Sequence, residues 1–278
     1  MRVVVTGGSG LLGTWVIRDL LEHGYDVTSG DVRLPHDALC DSVVVDFTRY
    51  EEVHDLLRGA DAVIHAAAFP SPAGRPHPVT FSNNVISTYN ILESAAARGI
   101  QKVALASSES SYGFCYAKYP FAPQYVPLDE DHPQLPQDCY GLSKVVDEIA
   151  GDMFNRREHM QVVSLRFCAI IAPDRYKVFL QDVHTPEKKM RLLWNYIDAR
   201  DAASACRLAI EAEGLRSVSL NIVSDTTCMD VRSMDLLKAC YPDVEIRREI
   251  AGFDAVSSNE KAKKLLHWKP VHHWRDQI

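Results

Sequence analysis

The first half of the chain alternates short β-branched runs with stretches whose apolar residues recur at helical spacing. Arg2 to Val5 reads as a strand, and Leu11 to Leu21, with Leu11, Leu12, Val16, Ile17, Leu20 and Leu21 on one side, reads as a helix. Further strands are predicted at Tyr25–Ser29, Ser42–Val45, Asp61–His65, Lys102–Ala106 and Val162–Arg166. Long helices are predicted over 78–98 and Tyr140–Arg156. This rhythm predicts an α/β fold, a parallel sheet with helices on both faces, and the short apolar runs suit strands buried on both sides. Beyond residue 167 the rhythm loosens. An amphipathic helix over Asp198–Glu213, a strand over Ser217–Val223 and a helix over Asp230–Cys240 remain, without repeats or an obvious linker.

Composition adds exclusions. The 278 residues carry a net charge of −7 and no Lys/Arg run, which argues against a nucleic-acid or anionic-membrane partner. No apolar stretch reaches the roughly 18 residues of a membrane span, and the run before Thr6 is too short for the core of a signal peptide. Seven scattered cysteines without a C-x-x-C pair give no support to a disulfide framework or a metal site. A reducing cytoplasm is the expected location.

The chemistry begins between the first strand and the first helix, at Thr6-Gly7-Gly8-Ser9-Gly10-Leu11-Leu12-Gly13. Glycines there admit positive φ and let backbone approach a pyrophosphate, and the helix start offers free N–H groups to it. The strand-turn-helix context lifts this above a chance glycine motif. Asp31, at the end of the second strand, suits the adenosine ribose hydroxyls and would repel a 2′-phosphate, favouring NAD over NADP. Arg33, two residues on, could serve a 2′-phosphate and keeps that question open. The fold class is therefore a Rossmann-type doubly wound parallel sheet. Residues 1–167 are expected to form its NAD-binding core, and 168–278 a small C-terminal substrate lobe interleaved with the last strands and helices of the core.

Tyr140 and Lys144 stand one helical turn apart. An ammonium near a phenol favours the phenolate and brings its pKa toward the working range. An isolated Y-x-x-x-K is common by chance, and its place after the fifth strand gives it weight. Ser108 and Glu109 follow that strand, where open α/β sheets bind ligands.

Together these residues make the chain resemble an extended short-chain dehydrogenase/reductase of the NAD-dependent epimerase/dehydratase family, over nearly its whole length. Gly7, Gly10, Leu11, Leu12 and Gly13 match the family's glycine loop, Asp46-Phe47 its adenine-contacting pair, Ala66 and Ala67 the segment under the adenosine, and Asn84 its Asn-Val position. The Tyr196–Asp201 stretch and the closing segment with Lys261, Leu266, Trp268 and Pro270 match as well. The resemblance implies Tyr140 as proton carrier, Lys144 as its modulator and a ligand of the nicotinamide ribose, and Ser108 as orienter of the substrate oxygen. It also implies a homodimer through the helices of Asn84 and Tyr140.

Two departures narrow the reaction. Dehydratases carry an acid pair after the catalytic hydroxyl, whereas Glu109 is followed by Ser110. Only 33 residues (168–200) separate Phe167 from Asp201, fewer than members acting on nucleotide sugars usually have. Short relatives such as uronate dehydrogenases place an arginine where Arg191 stands, and a guanidinium suits a carboxylate. Glu109 would repel one. The expectation is an NAD-dependent oxidoreductase acting on a hydroxyl of a small sugar or sugar acid, with Glu109 and Arg191 as substrate contacts. A sugar epimerase is the alternative, followed by a non-catalytic dinucleotide-binding regulator.

Overall fold

Val3, Val4 and Val5 are fully buried in the first strand, yet they serve different cores. In the computed structural model, which describes residues 1–277, β1 (Arg2–Thr6) lies near the middle of a seven-stranded sheet. Val3 and Val5 face one layer and Val4 the other, because side chains alternate across a strand. The remaining strands are β2 (Asp26–Asp31), β3 (Asp41–Val44), β4 (Ala62–His65), β5 (Lys102–Ser108), β6 (Gln161–Phe167) and β7 (Ser217–Ile222). Their spatial order is β7-β6-β5-β4-β1-β2-β3, with every pairing parallel.

One face is covered by α1 (Leu11–Glu22) and α5 (Ala199–Glu211), whose Val16, Ile17, Leu20, Ala202, Cys206 and Ile210 close over Val3, Val5, Ile64 and Leu165. The other is covered by α2 (Tyr50–Leu56), α3 (His77–Ala97) and α4 (Cys139–Glu158), which bury Val53, Ile91, Leu92 and Phe154 against Val4, Val63 and Val103. The expected doubly wound sheet is thus present. Three details differ. The seven-residue α2 is too short for its periodicity to stand out. Strand β3 is an edge, with Val43 and Val44 exposed, rather than a strand buried on both faces. The helix expected from Asp230 is α6 (Ser233–Cys240), and α7 (Glu260–Leu266) lies inside the closing segment.

A separate core lies beyond the carboxyl ends of β5, β6 and β7. Tyr112, Phe114, Val126 and Leu128, which follow β5, pack with Ile171, Leu193, Trp194 and Tyr196, which follow β6. Cys228, Met229, Leu236 and Trp274 complete it from the chain after β7. Residues 173–192 form only short helical turns, Tyr176–Phe179 and Pro186–Lys189 among them. They are held by tertiary bonds such as Trp194 Nε1 donating to Pro186 O at 2.9 Å. Among the described residues no helix is long and apolar enough to cross a membrane.

Candidate active site

Between β1 and β4 the chain order of the sheet reverses, and the strand ends on either side open a cleft, as such switch points do. Gly7 makes the first turn at φ +70°, its N–H donating to Gly30 O at 2.8 Å. A Cβ there would lie 2.7 Å from Ala67 N, so the loop can sit against β4 only as glycine. A Cβ at Gly13 would collide with the Gly7 carbonyl. Helix α1 then starts at Gly10 without any side-chain cap, leaving its first N–H groups turned to the cleft.

The cleft has two halves that share Gly7, Gly10, Ala66, Ala68 and Pro70. The outer half, about 510 Å³, is lined by Asp31, Arg33, Asp46, Phe47 and Ala67 from the expected set. Phe69 and Arg75 line it too, the guanidinium 3.9 Å over the Phe69 ring. Asp31 accepts the Ser9 N–H at 2.9 Å, which fixes its carboxylate beside the glycine loop. The inner half, about 520 Å³, is lined by Leu11, Leu12, Gly13, Ser108, Glu109, Tyr140 and Lys144.

Helix α4 brings Tyr140 and Lys144 there. Asp138 caps it, accepting from the N–H groups of Tyr140 at 2.9 Å and Gly141 at 2.8 Å, a cap worth about 1 kcal/mol. Gly141 lets the helix press against the turn after β5, since a Cβ would come within 2.5 Å of Ser110 O. The Ser108 hydroxyl stands beside the Tyr140 phenol in this hollow and favours its ionised form. Lys144 Nζ lies 5.8 Å from the Tyr140 ring centre and donates to Ala106 O at 2.8 Å. The expected lowering of the tyrosine pKa is absent from the protein alone. Burial pushes Tyr140 up to about 12, with the Ser108 hydroxyl pulling the other way.

Asn84 is placed elsewhere. It is buried beneath the cleft, where its Nδ2 donates to Phe69 O and Ser143 Oγ, both at 3.2 Å, and its Oδ1 accepts the Phe69 N–H at 2.9 Å. Ser143 Oγ in turn donates to Tyr140 O at 2.7 Å, so Asn84 ties α3, the 66–70 loop and the start of α4 together. Arg191 also stands apart from the hollow around Tyr140. Its side chain is exposed and donates to Ala117 O at 3.1 Å.

Glu109 reaches both the inner half of the cleft and a narrow recess shared with Arg191, Asn195 and Ser257. Asn195 Nδ2 donates to Glu109 Oε2 at 3.1 Å and to Ser257 Oγ at 2.8 Å. Burial pushes Glu109 up to about 8, against the Asn195 bond, so at neutral pH it is largely a carboxylic acid. Asn195, Tyr116 and Cys115 were not singled out from sequence. They sit in loops without periodicity and meet the cleft only through folding.

A glycine cradle at an uncapped helix start, an acidic residue at the second strand end and a buried tyrosine define a dinucleotide-binding oxidoreductase site. The donors and the space suit a dinucleotide, since the glycine that a Cβ would block is where a pyrophosphate must approach. The sequence profile described as the NAD dependent epimerase/dehydratase family matches residues 3–222, and the chain belongs to that family. Its cofactor is NAD, and its relatives are dehydrogenases and epimerases. L-arabinose 1-dehydrogenase (NAD(P)(+)) of Haloferax volcanii is 27% identical, over 80% of this chain and 88% of that protein. UDP-glucose 4-epimerase of Corynebacterium glutamicum is 26% identical, over 98% of this chain and 92% of that one. A solved structure of a mutated uronate dehydrogenase superposes with a TM-score of 0.72 at 22% identity, covering 100% of this chain and 85% of its own, a likeness of fold.

Proposed function

We propose that the protein is an NAD-dependent dehydrogenase that oxidises a hydroxyl-bearing carbon of a small sugar or sugar acid. The observation that carries this is the meeting of Ser108, Tyr140 and Lys144 in one hollow that is continuous with the glycine loop. Tyr140 takes the hydroxyl proton at its phenolic oxygen, Ser108 orients the substrate oxygen, and the Lys144 ammonium favours the phenolate. NAD, when bound, would supply the hydride acceptor. Gly7, Gly10, Leu11, Leu12 and Gly13 hold the pyrophosphate, Asp31 the adenosine ribose, and Asp46, Phe47, Ala66 and Ala67 the adenine side. Arg33 is exposed beside Asp31, and the half-buried Asp31 carboxylate, held by the Ser9 N–H at the end of β2, supports NAD over NADP. Asn84 acts from below by positioning the Phe69 loop.

The lobe around Trp194, built from the loop after β5 and the segments after β6 and β7 and interleaved with α5 and β7 of the core, forms the substrate side. Glu109 there, as a neutral acid, supports a hydroxyl rather than a carboxylate at that end of the substrate. The short 168–200 segment supports a substrate without a nucleotide. Epimerisation is the second reading, because the Corynebacterium glutamicum relative carries that activity in its name.

Incubation with NAD and a panel of aldoses, uronic acids and UDP-sugars, followed at the NADH absorbance band, separates the readings. Net NADH supports the dehydrogenase, and product without net NADH identifies an epimerase. NAD binding without conversion of any sugar would sink both. Tyr140→Phe should abolish turnover and keep NAD binding.

The apolar residues Val79, Ile86 and Tyr89 on α3, with Leu142 and Ile149 on α4, are exposed on two helices that pack together. This supports a homodimer through that face. Light scattering reads the mass, and a monomer at micromolar concentration would refute it.

A further inference from the structure

One buried charge near the site has no part in the mechanism above. Asp147 lies on α4 one turn beyond Lys144, which itself lies one turn beyond Tyr140. Its Oδ2 is 3.5 Å from Lys144 Nζ, and the two side chains are only 4% and 6% exposed. Its other oxygen, Oδ1, is buried without a hydrogen-bond partner. A carboxylate is expensive to keep dry, and one with an unmade bond more so. Nothing in the packing of α4 demands an acid here.

The surroundings explain what it acts on. From α3, the buried Thr88 favours the ionised form of Asp147. From β5, the Ala106 carbonyl shares the Lys144 ammonium. From β4, His65 is buried and held neutral, its pKa driven down to about 3 by burial and by the Lys144 charge. On α4 itself, Glu148 is neutralised by Arg166 of β6. Asp138 caps the start of the helix, two residues before Tyr140, and faces that residue rather than Lys144. Asp147 is thus the acid that faces Lys144 directly.

We propose that Asp147 is a positioning residue that acts through Lys144, offsetting part of the ammonium's field at Tyr140 and so setting the pH at which the phenol gives up its proton. Two opposite charges on one helix face in a dry site act on the third group as a dipole, whereas Lys144 alone would act as a full cation. Beside burial, Cys115, Asp147 and Asp138 each raise Tyr140, and of these three it is Asp147 that also pairs with Lys144. Burial, opposed by Lys144 and Thr88, pushes Asp147 itself up to about 6, so it is ionised where Tyr140 titrates. The inference rests on the proposal that Tyr140 carries the proton.

The test uses NAD-saturated protein with tyrosine labelled at Cζ, read by NMR, the Tyr140 signal being the one lost in Tyr140→Phe. Asp147→Asn should lower the Tyr140 midpoint by about one pH unit, an ionisation constant raised about tenfold. Asp147→Glu should restore it. An unchanged midpoint in a folded, NAD-binding Asp147→Asn protein overturns the proposal. If the Asn form does not fold, Asp147→Ser, also uncharged, is read by the same criterion. The titration needs no sugar, so failure to find a substrate leaves it decisive. With a substrate in hand, the rising limb of kcat for oxidation should shift with the NMR midpoint.

Discussion

Removing the carboxylate of Glu148 tests how the site is braced from behind. Glu148 on α4 accepts from Arg166 Nε at 2.9 Å and Nη2 at 2.7 Å, a two-pronged pair in which both side chains are under 10% exposed. It also accepts from Ser107 Oγ at 2.6 Å and Gln134 Nε2 at 3.1 Å. Arg166 reaches on to the Tyr112 hydroxyl at 2.8 Å, which links β6 to the lobe core. Glu148→Ala leaves a guanidinium buried without its counter-charge, which costs about 3–5 kcal/mol, and the orphaned Ser107 donor adds about 1 kcal/mol. That is a third or more of a typical total stability of about 5–15 kcal/mol, and it should lower Tm by roughly 10 °C. The double substitution Glu148→Leu with Arg166→Met removes both charges and should cost less than Glu148→Ala alone. Urea unfolding of the three proteins without NAD, at one pH, gives the comparison and avoids stabilisation by ligand. A single-variant loss below about 1 kcal/mol, or a double variant that loses as much stability as Glu148→Ala or more, refutes the reasoning. Because Ser107 precedes Ser108, the single variant should also lower kcat more than it raises KM.

Gly7→Ala should weaken NAD binding about tenfold or more by calorimetry, since the new methyl meets the Ala67 backbone at a φ of +70°. An unchanged Kd would mean that the loop does not cradle the pyrophosphate. Asp31→Ala should loosen discrimination against NADP, and unchanged selectivity would shift that role to Arg33. Glu109 is held neutral below about 8 because folding raises its pKa from 4.5. Its contribution to stability is therefore full below the unfolded value and is lost as pH rises through about 8. Affinity for an uncharged sugar should fall over the same window, and Glu109→Gln should flatten that fall. A wild-type profile with no change there, up to pH 9, would count against Glu109 as a substrate contact.

The features legible in the sequence were those fixed by short-range geometry. A glycine turn feeding a helix, an acid at a strand end and a Tyr-Lys pair one turn apart declare themselves because local backbone conformation decides where they point. The parallel doubly wound sheet followed from the alternation of strands and helices, whereas its strand order did not. What stayed hidden depends on long-range closure. Arg166 and Glu148 look like an ordinary strand arginine and helix glutamate until β6 and α4 pack. Asn195 meets Glu109 only when the lobe folds over the strand ends. The turns of 173–192 have no periodicity of their own, because tertiary bonds from Trp194 and Lys189 hold them in place. Lys144 illustrates the limit on chemistry. Its spacing from Tyr140 was evident, but the burial that pushes the phenol up was not.

The short parallel ladder in which Ile170 pairs with Ile197 and Ile171 with Asp198 has a consequence for how specificity can change. It pinches the chain together at the base of the excursion between Pro173 and Leu192, and both ends leave from a fixed gate beside the sheet. The cost of closing a flexible loop grows only logarithmically, about 0.6 kcal/mol for each doubling of length. Insertions inside that gate are therefore cheap for the sheet, the glycine loop and the Tyr140 helix alike. The excursion behaves as an exchangeable cassette: a longer segment grafted at Pro173 and Leu192 should alter which sugar is accepted and leave the NAD affinity as it was.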